Sequence, residues 1–148
     1  MNTFFVPIIH KDILQLDENN SKHAIKVLRL KKGNSIELID GKGSKAKGKL
    51  VQDQPKKAEV QITEIEQFEK PLGLSLAFCP TKNNDRNDWI IEKATEIGVT
   101  DFYPIYSQNS ERRKWNNERM RKITIAALKQ SGNLWLPNIH KLSDFKSL

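Results

Sequence analysis

The apolar residues of this 148-residue chain change period once, at Glu69-Lys70-Pro71, and that change limits the fold more than any other feature. Before it, apolar and polar positions alternate as in a half-buried strand; after it, near-continuous apolar runs trade places with helical stripes. One sheet or one bundle cannot satisfy both patterns. The expected plan is a small all-β, barrel-like unit over 1–70, followed by an α/β unit over 71–148 built on a parallel sheet.

In the first stretch, Thr3 to Ile9 reads as a strand interrupted by Pro7, which suits an edge. A short helix follows, with Asn20 or Ser21 as its cap, Ala24, Val27 and Leu28 on its buried side, and Gly33 closing the next turn. Ile36 and Leu38 then lead through Asp40-Gly41-Lys42-Gly43, a turn sequence, into a return strand. That strand carries Ala46, Gly48 and Leu50 on one face and Lys45, Lys47 and Lys49 on the other. The Gly-x-Gly at 41–43 is read as a turn, because a phosphate loop needs a helix where a lysine-bearing strand follows. Ala58, Val60 and Ile62, with Ile65, mark a third strand.

In the second stretch, Leu72 to Cys79 predicts a strand covered on both faces, with Cys79 as a packed core thiol. A helix is expected over 85–97, buried through Trp89, Ile90, Ala94 and Ile97, with Gly98 as its stop. A second is expected over 117–131, capped by Asn116, stapled by Trp115 and Met120, and ended by Gly132. Strands at 102–106 and 137–142 complete the alternation, and Ser143 reads as the N-cap of one more helix.

Charge supplies the first functional clue. Lys and Arg total 25 against 18 Asp and Glu, and the net +7 suits a polyanionic partner. Nine of these bases fall within residues 21–49, opposed there by Glu37 and Asp40 alone. Lys22, Lys26, Arg29, Lys31 and Lys32 lie off the buried side of the first helix, free to meet phosphates. A single cysteine excludes an internal disulfide, and His10, His23 and His140 have no zinc spacing, so no metal is expected. No apolar run approaches a membrane span and the N-terminus lacks the pattern of a signal peptide, so no membrane partner is expected and the cytoplasm is the expected compartment. Glu92 and Glu96 flank Lys93 at helical spacing and read as a solvated face. No Ser/His/Asp or Cys/His arrangement stands out.

Two strings are more specific: His23-Ala-Ile-Lys-Val-Leu-Arg29-Leu-Lys-Lys-Gly33 followed by Ile36-Glu-Leu-Ile-Asp40-Gly-Lys-Gly43, and Trp89-Ile-Ile-Glu-Lys93-Ala-Thr-Glu96-Ile-Gly-Val99. In order and spacing, from Phe4 to about Leu148, the chain resembles the RsmE-type 16S rRNA (uracil-N3)-methyltransferases. The resemblance implies a PUA-like β-barrel that holds RNA, joined to the N-terminal βαβαβ part of a SPOUT-type, trefoil-knot α/β domain. It also implies an S-adenosylmethionine-dependent homodimer that methylates N3 of one uridine in 16S rRNA of the small ribosomal subunit.

Carried over by position, His23, Arg29, Gly33, Asp40, Gly41 and Gly43 match the barrel string, and Lys93 and Glu96 match the second. Ser110 and Arg112 match a strand-end loop; Gln130 and Ser131 match a helix-end motif, but Gly132-Asn133 stands where the family often has an arginine. The RNA-binding candidates are His23, Lys26, Arg29, Lys31, Lys32, Lys42, Arg112 and Arg113, and Arg112 is the catalytic candidate, as the cation stabilising a uridine anion. The family's Gly-Pro-Glu-Gly-Gly and Leu-Gly…Ile-Leu-Arg-x-Glu-Thr-Ala strings, which build its knot and methyl-donor site, do not occur in these residues. The 148 residues are therefore expected to lack the knot, to bind no cofactor, to be inactive alone and to keep RNA binding. The alternative is a stand-alone, non-catalytic RNA-binding module.

Overall fold

Alternation in the first stretch produces five strands: β1 (Asn2–Phe5), β2 (Ile13–Gln15), β3 (Ser35–Ile39), β4 (Ser44–Gln54) and β5 (Lys57–Gln67). They belong to a computed structural model that describes residues 2–110 and 114–147. The chain divides into two compact units, Met1–Glu69 and Lys70–Leu148.

The strands of the first unit form one sheet in the order β1-β3-β4-β5-β2, with β1 parallel to β3 and the other pairs antiparallel. Phe4, Leu14, Ile36, Leu38, Ala46, Leu50, Ala58, Val60 and Ile62 point inward as one buried cluster. A register shift between Lys47 and Gly48 sets Ile65 opposite Ala46 and Ile62 opposite Gly48, so both isoleucines reach that cluster. The sheet does not close into the expected barrel. Its two edges, β1 and β2, are only four and three residues long, and α1 (Glu18–Lys22) ties to β1, to β5 and to the residue after β2 instead. Asn20 Nδ2 donates to the Phe5 carbonyl at 2.9 Å. Ser21 Oγ donates to the Leu16 carbonyl at 3.2 Å and accepts from the Ala58 N–H at 3.0 Å.

The start of α1 differs from expectation. Asp17 is its N-cap, accepting from the Asn20 N–H at 2.7 Å, while Ser21 is a fully buried tie. His23–Val27 then widens into a π turn, closed by the Leu28 N–H on the His23 carbonyl at 2.9 Å. The wider turn rotates Val27 away from the core. It is 65% exposed, whereas Ala24 stays buried.

The second unit alternates β6 (Ser75–Phe78), α2 (Asn84–Glu96), β7 (Asp101–Tyr106), α3 (Asn117–Ser131), β8 (Asn138–Ile139) and β9 (Ser143–Asp144). Its sheet is parallel in the order β6-β7-β8, and β9 pairs with the far half of β7. Both crossovers step the same way along the sheet, so right-handedness puts both helices on one face. There Leu76, Phe78, Phe102 and Ile139 pack with Ile91, Met120, Trp115 and Ile123.

The other face of β6 is uncovered within this unit, which corrects two expectations. Ser75 and Ala77 are exposed there, and so is the Cys79 thiol expected in the core. The stripe of α2 is also rotated, to Asn87, Ile91, Ala94 and Thr95, leaving Trp89 62% and Ile97 76% exposed. Asn87 sets that rotation by donating to the Thr81 carbonyl at 2.9 Å and accepting from its N–H at 2.8 Å. Ser143 pairs with Ile105 as a strand residue; Asp144 instead caps a short 3₁₀ turn at Phe145–Ser147, accepting from the Lys146 N–H at 2.9 Å. Asn116 and Gly132 end α3 as expected, the glycine at φ 77°.

Candidate nucleic-acid interface

The π turn leads into a loop whose backbone is held at four places. The Leu30 N–H reaches the Ala24 carbonyl at 2.9 Å and the Gly33 N–H reaches the Leu50 carbonyl at 2.7 Å. Between them, the Lys31 N–H donates to Asn34 Oδ1 at 2.8 Å and the Lys32 N–H to Asp53 Oδ2 at 3.3 Å. Arg29 is the one non-glycine residue at positive φ among the described residues, at 53°. Four backbone N–H groups of this loop are thus satisfied, two by main-chain carbonyls and two by the side chains of Asn34 and Asp53. The side chains of Lys26, Arg29, Lys31 and Lys32 are exposed and, among the described residues, unpaired.

Most other bases of the segment are occupied. Lys22 pairs with Glu18 at 2.6 Å, and that hydrogen bond lowers the Glu18 carboxyl below its ordinary value. Lys45 pairs with Glu37 at 2.9 Å; Lys47 reaches Glu64 at 2.8 Å and Glu66 at 3.7 Å. The hydrogen bond to Glu64 leads in holding the Lys47 ammonium above its usual range. The lysine face of β4 is therefore largely a cross-strand ion-pair ladder. His23 is exposed, with its ring edge-on to Phe4 at 6.1 Å between centroids. Lys42 stands apart from Lys31 and Lys32, since the whole of β3, roughly 17 Å, separates the two turns. There Asp40 Oδ1 accepts from the Lys42 and Ser44 N–H groups at 2.7 and 3.0 Å, and the Lys42 ammonium reaches the Pro7 carbonyl at 3.4 Å.

Three contributors escaped the sequence reading. Asn34 and Asp53 position the loop, and Lys56 lines a groove of ≈ 380 Å³ with Lys22, Lys26, Gln54 and Pro55. Lys56 lies in the two-residue turn between β4 and β5, far in sequence from Lys26, and no local pattern links them.

In the second unit Lys93 bonds Glu92 at 2.8 Å and Glu96 at 2.9 Å, and these bonds hold its ammonium above the ordinary lysine range. That is the solvated, self-paired face. Ser110 Oγ accepts from the Ser107 N–H at 2.8 Å. Arg112 and Arg113 lie outside the described residues. Gln130 and Ser131 end α3 on an exposed face, and Asn133 donates to the carbonyls of Thr95 and Glu96 at 2.9 and 3.0 Å. Asn133, just past the end of α3, thus ties that end to the last turn of α2. At the C-terminal edge of the sheet a cavity of ≈ 590 Å³ is lined by Tyr106, Lys114, Trp115, Asn117, Lys141 and Leu142. Among the described residues no cluster of metal-ligating side chains occurs, and no helix is long and apolar enough to cross a membrane.

Fold and surface together define a class: a β-sheet unit with an unpaired cationic loop, joined to a parallel α/β unit. Residues 68–148 match the RNA methyltransferase domain family and residues 16–63 the RNA methyltransferase PUA domain; the chain belongs to this RNA methyltransferase family. The ribosomal RNA small subunit methyltransferase E of Synechocystis sp. is 33% identical over 116 residues, covering 77% of this chain and 38% of the relative. Its namesake in Bacillus subtilis is 28% identical over 134 residues, 85% of this chain and 52% of the relative. The resemblance to RsmE-type enzymes holds. Among solved structures, a probable rRNA-methyltransferase from Porphyromonas gingivalis superimposes with TM-score 0.89 at 32% identity, covering 99% of this chain and 62% of that one. A ribosomal RNA small subunit methyltransferase E from Neisseria gonorrhoeae, bound to S-adenosyl methionine, follows at TM-score 0.86, 25% identity, 99% and 64%. The chain thus spans 38% to 52% of the length of these two curated relatives.

Proposed function

We propose that this chain is the RNA-holding unit and opening α/β part of an S-adenosylmethionine-dependent methyltransferase. Its target is N3 of a uridine in 16S rRNA of the small ribosomal subunit, and the complete enzyme is a cytoplasmic homodimer. One observation carries the RNA reading: Lys26, Arg29, Lys31 and Lys32 stand unpaired on a segment whose backbone is already fixed. Such cations meet phosphates at little ordering cost and release condensed counterions on doing so. Four contacts give a slope of log affinity against log salt of about −3 on single-stranded RNA. Titration of a labelled rRNA oligonucleotide across a salt series measures it, and a flat dependence sinks the reading.

The methyl donor carries a sulfonium, an ammonium and a carboxylate charge. Among its described lining residues the ≈ 590 Å³ cavity offers no carboxylate to hold the sulfonium or the ammonium, and the groove of ≈ 470 Å³ beside Asp85, Arg86, Trp89 and Ile90 is a shallow surface of one helix. The described residues do not fit the cofactor, so no step of the reaction is assigned to them. This supports the reading of 71–148 as the N-terminal part of a SPOUT domain without its knot, inactive alone. Labelled S-adenosylmethionine should not bind the 148 residues.

Methylation at N3 requires the ring proton to leave, and a guanidinium beside the ring stabilises the resulting anion. Arg112 is proposed for that role, with Arg113, His23 and Lys42 as further RNA contacts. In a chain extended through the two missing strings, Arg112→Ala should cost on the order of 10²-fold in methylation rate. Unchanged activity removes Arg112 from the mechanism.

A further inference from the structure

The cavity at the C-terminal edge of the second sheet serves none of the roles given so far. Parallel α/β sheets bind ligands outside the carboxyl ends of their strands. Tyr106, the last residue of β7, forms one wall of this cavity; Lys114, Trp115 and Asn117 come from the approach to α3, and Lys141 and Leu142 from the link between β8 and β9. Residues 106 and 114–117 thus meet residues 141–142 at one hollow. Two of its six described lining side chains are cationic and none is a carboxylate. Lys141 is exposed and has no ion-pair or hydrogen-bond partner among the described residues. Asn117 is the first residue of the 15-residue α3, whose positive dipole end adds to the same field. The volume, ≈ 590 Å³, admits a phosphate with its flanking sugar.

We propose that this cavity binds a phosphate group of the RNA backbone, through Lys141, as a contact separate from the Arg29 loop. The inference rests on the RNA-holding reading above and extends it to the second unit. The same phosphate chemistry is offered by a free nucleotide, so the test has two ligands.

Binding of a labelled uridine-containing RNA oligonucleotide is measured across a salt series for the 148-residue chain and its variants. Lys141→Ala should weaken binding about three- to tenfold at low salt and make the salt slope shallower by about 0.7, the value of one phosphate contact on a single strand. Lys141→Arg should keep both values, and Lys146→Ala, an exposed lysine off the cavity, should change neither. An unchanged slope in Lys141→Ala, alongside a reduced one in Arg29→Ala/Lys31→Ala/Lys32→Ala, overturns the cavity and leaves the loop standing. If the triple loop variant also binds like the parent, the RNA-holding reading itself falls. The second ligand is uridine 5′-monophosphate. Lys141-dependent binding of it, with RNA binding untouched in Lys141→Ala, gives the site to free nucleotides and overturns the RNA assignment.

Discussion

Arg29 combines two costs that a residue kept for packing would avoid. Its backbone is left-handed, a conformation roughly 1–2 kcal/mol unfavourable for a residue with a Cβ, and its guanidinium makes no hydrogen bond or ion pair with a described residue. Among the described residues the other positive φ angles all fall on glycine, including Gly33 four residues on. Arg29→Gly should therefore leave stability within about 1 kcal/mol of the parent, because relieved strain offsets the extra freedom of the unfolded chain. The same variant should lose one phosphate contact from its salt slope. Urea denaturation beside RNA titration separates the two effects; a large stability loss would show that the residue is structural. Asp101 provides a second single-residue case. Asn138 donates to its Oδ1 at 3.0 Å, His140 Nε2 lies 3.2 Å from the same oxygen, and the Thr100 hydroxyl donates to Oδ2 at 2.9 Å. The bond from Asn138 leads in lowering its pKa below the 3.8 of an ordinary aspartate. A carboxyl with a lowered folded-state pKa stabilises fully above its unfolded value, and that contribution is lost as pH falls through the folded one. The urea midpoint of the second unit should thus decline at acid pH, and Asp101→Asn should flatten that part of the decline.

Elements repeat the lesson in their rotations. Gly48 sits where β4 shifts register, and an added Cβ would lie 2.5 Å from Val60 Cγ1 and 2.8 Å from the Gln61 carbonyl oxygen. The carbonyl belongs to the neighbouring strand and cannot swing aside. Gly48→Ala should cost about 1–3 kcal/mol, read as a lower thermal midpoint of the first unit; a neutral result would mean that the ladder yields. Strand existence was legible from Ile36, Leu38, Ala46, Leu50, Ala58 and Val60, because period two survives any partner. Helix rotation was not. Val27 is turned out by a π turn that no residue type announces, and α2 is rotated by Asn87 and its bonds to Thr81, a polar residue that a search for apolar stripes passes over. The face of β6 was misread for another reason. Coverage depends on where the crossovers go, and a continuous apolar run carries no record of that. The same limit applies to the interface. Clustered bases at 21–49 were visible, but which were cancelled depended on Glu64 and Glu66, brought opposite Lys47 only by strand pairing.

At the scale of the whole chain, each unit has its own buried cluster. Residues 1–69 alone should therefore unfold cooperatively and keep the affinity and salt slope contributed by Lys26, Arg29, Lys31 and Lys32. Loss of RNA binding on excision would place the interface elsewhere. The second unit exposes Leu72, Leu74, Trp89 and Ile97, enough apolar surface to bind a hydrophobic dye at neutral pH without unfolding. The ion-pair ladder on the first sheet has an effect beyond holding strands together. Charges that cancel pairwise cast little field past a Debye length of about 8 Å, whereas the unopposed cations of the loop reach further into solvent. One side of the sheet is thereby muted and one corner left audible. For the proposed RNA partner, that field would turn an approaching polyanion toward the corner before anything touches, so that the orientation of the complex is chosen during diffusion.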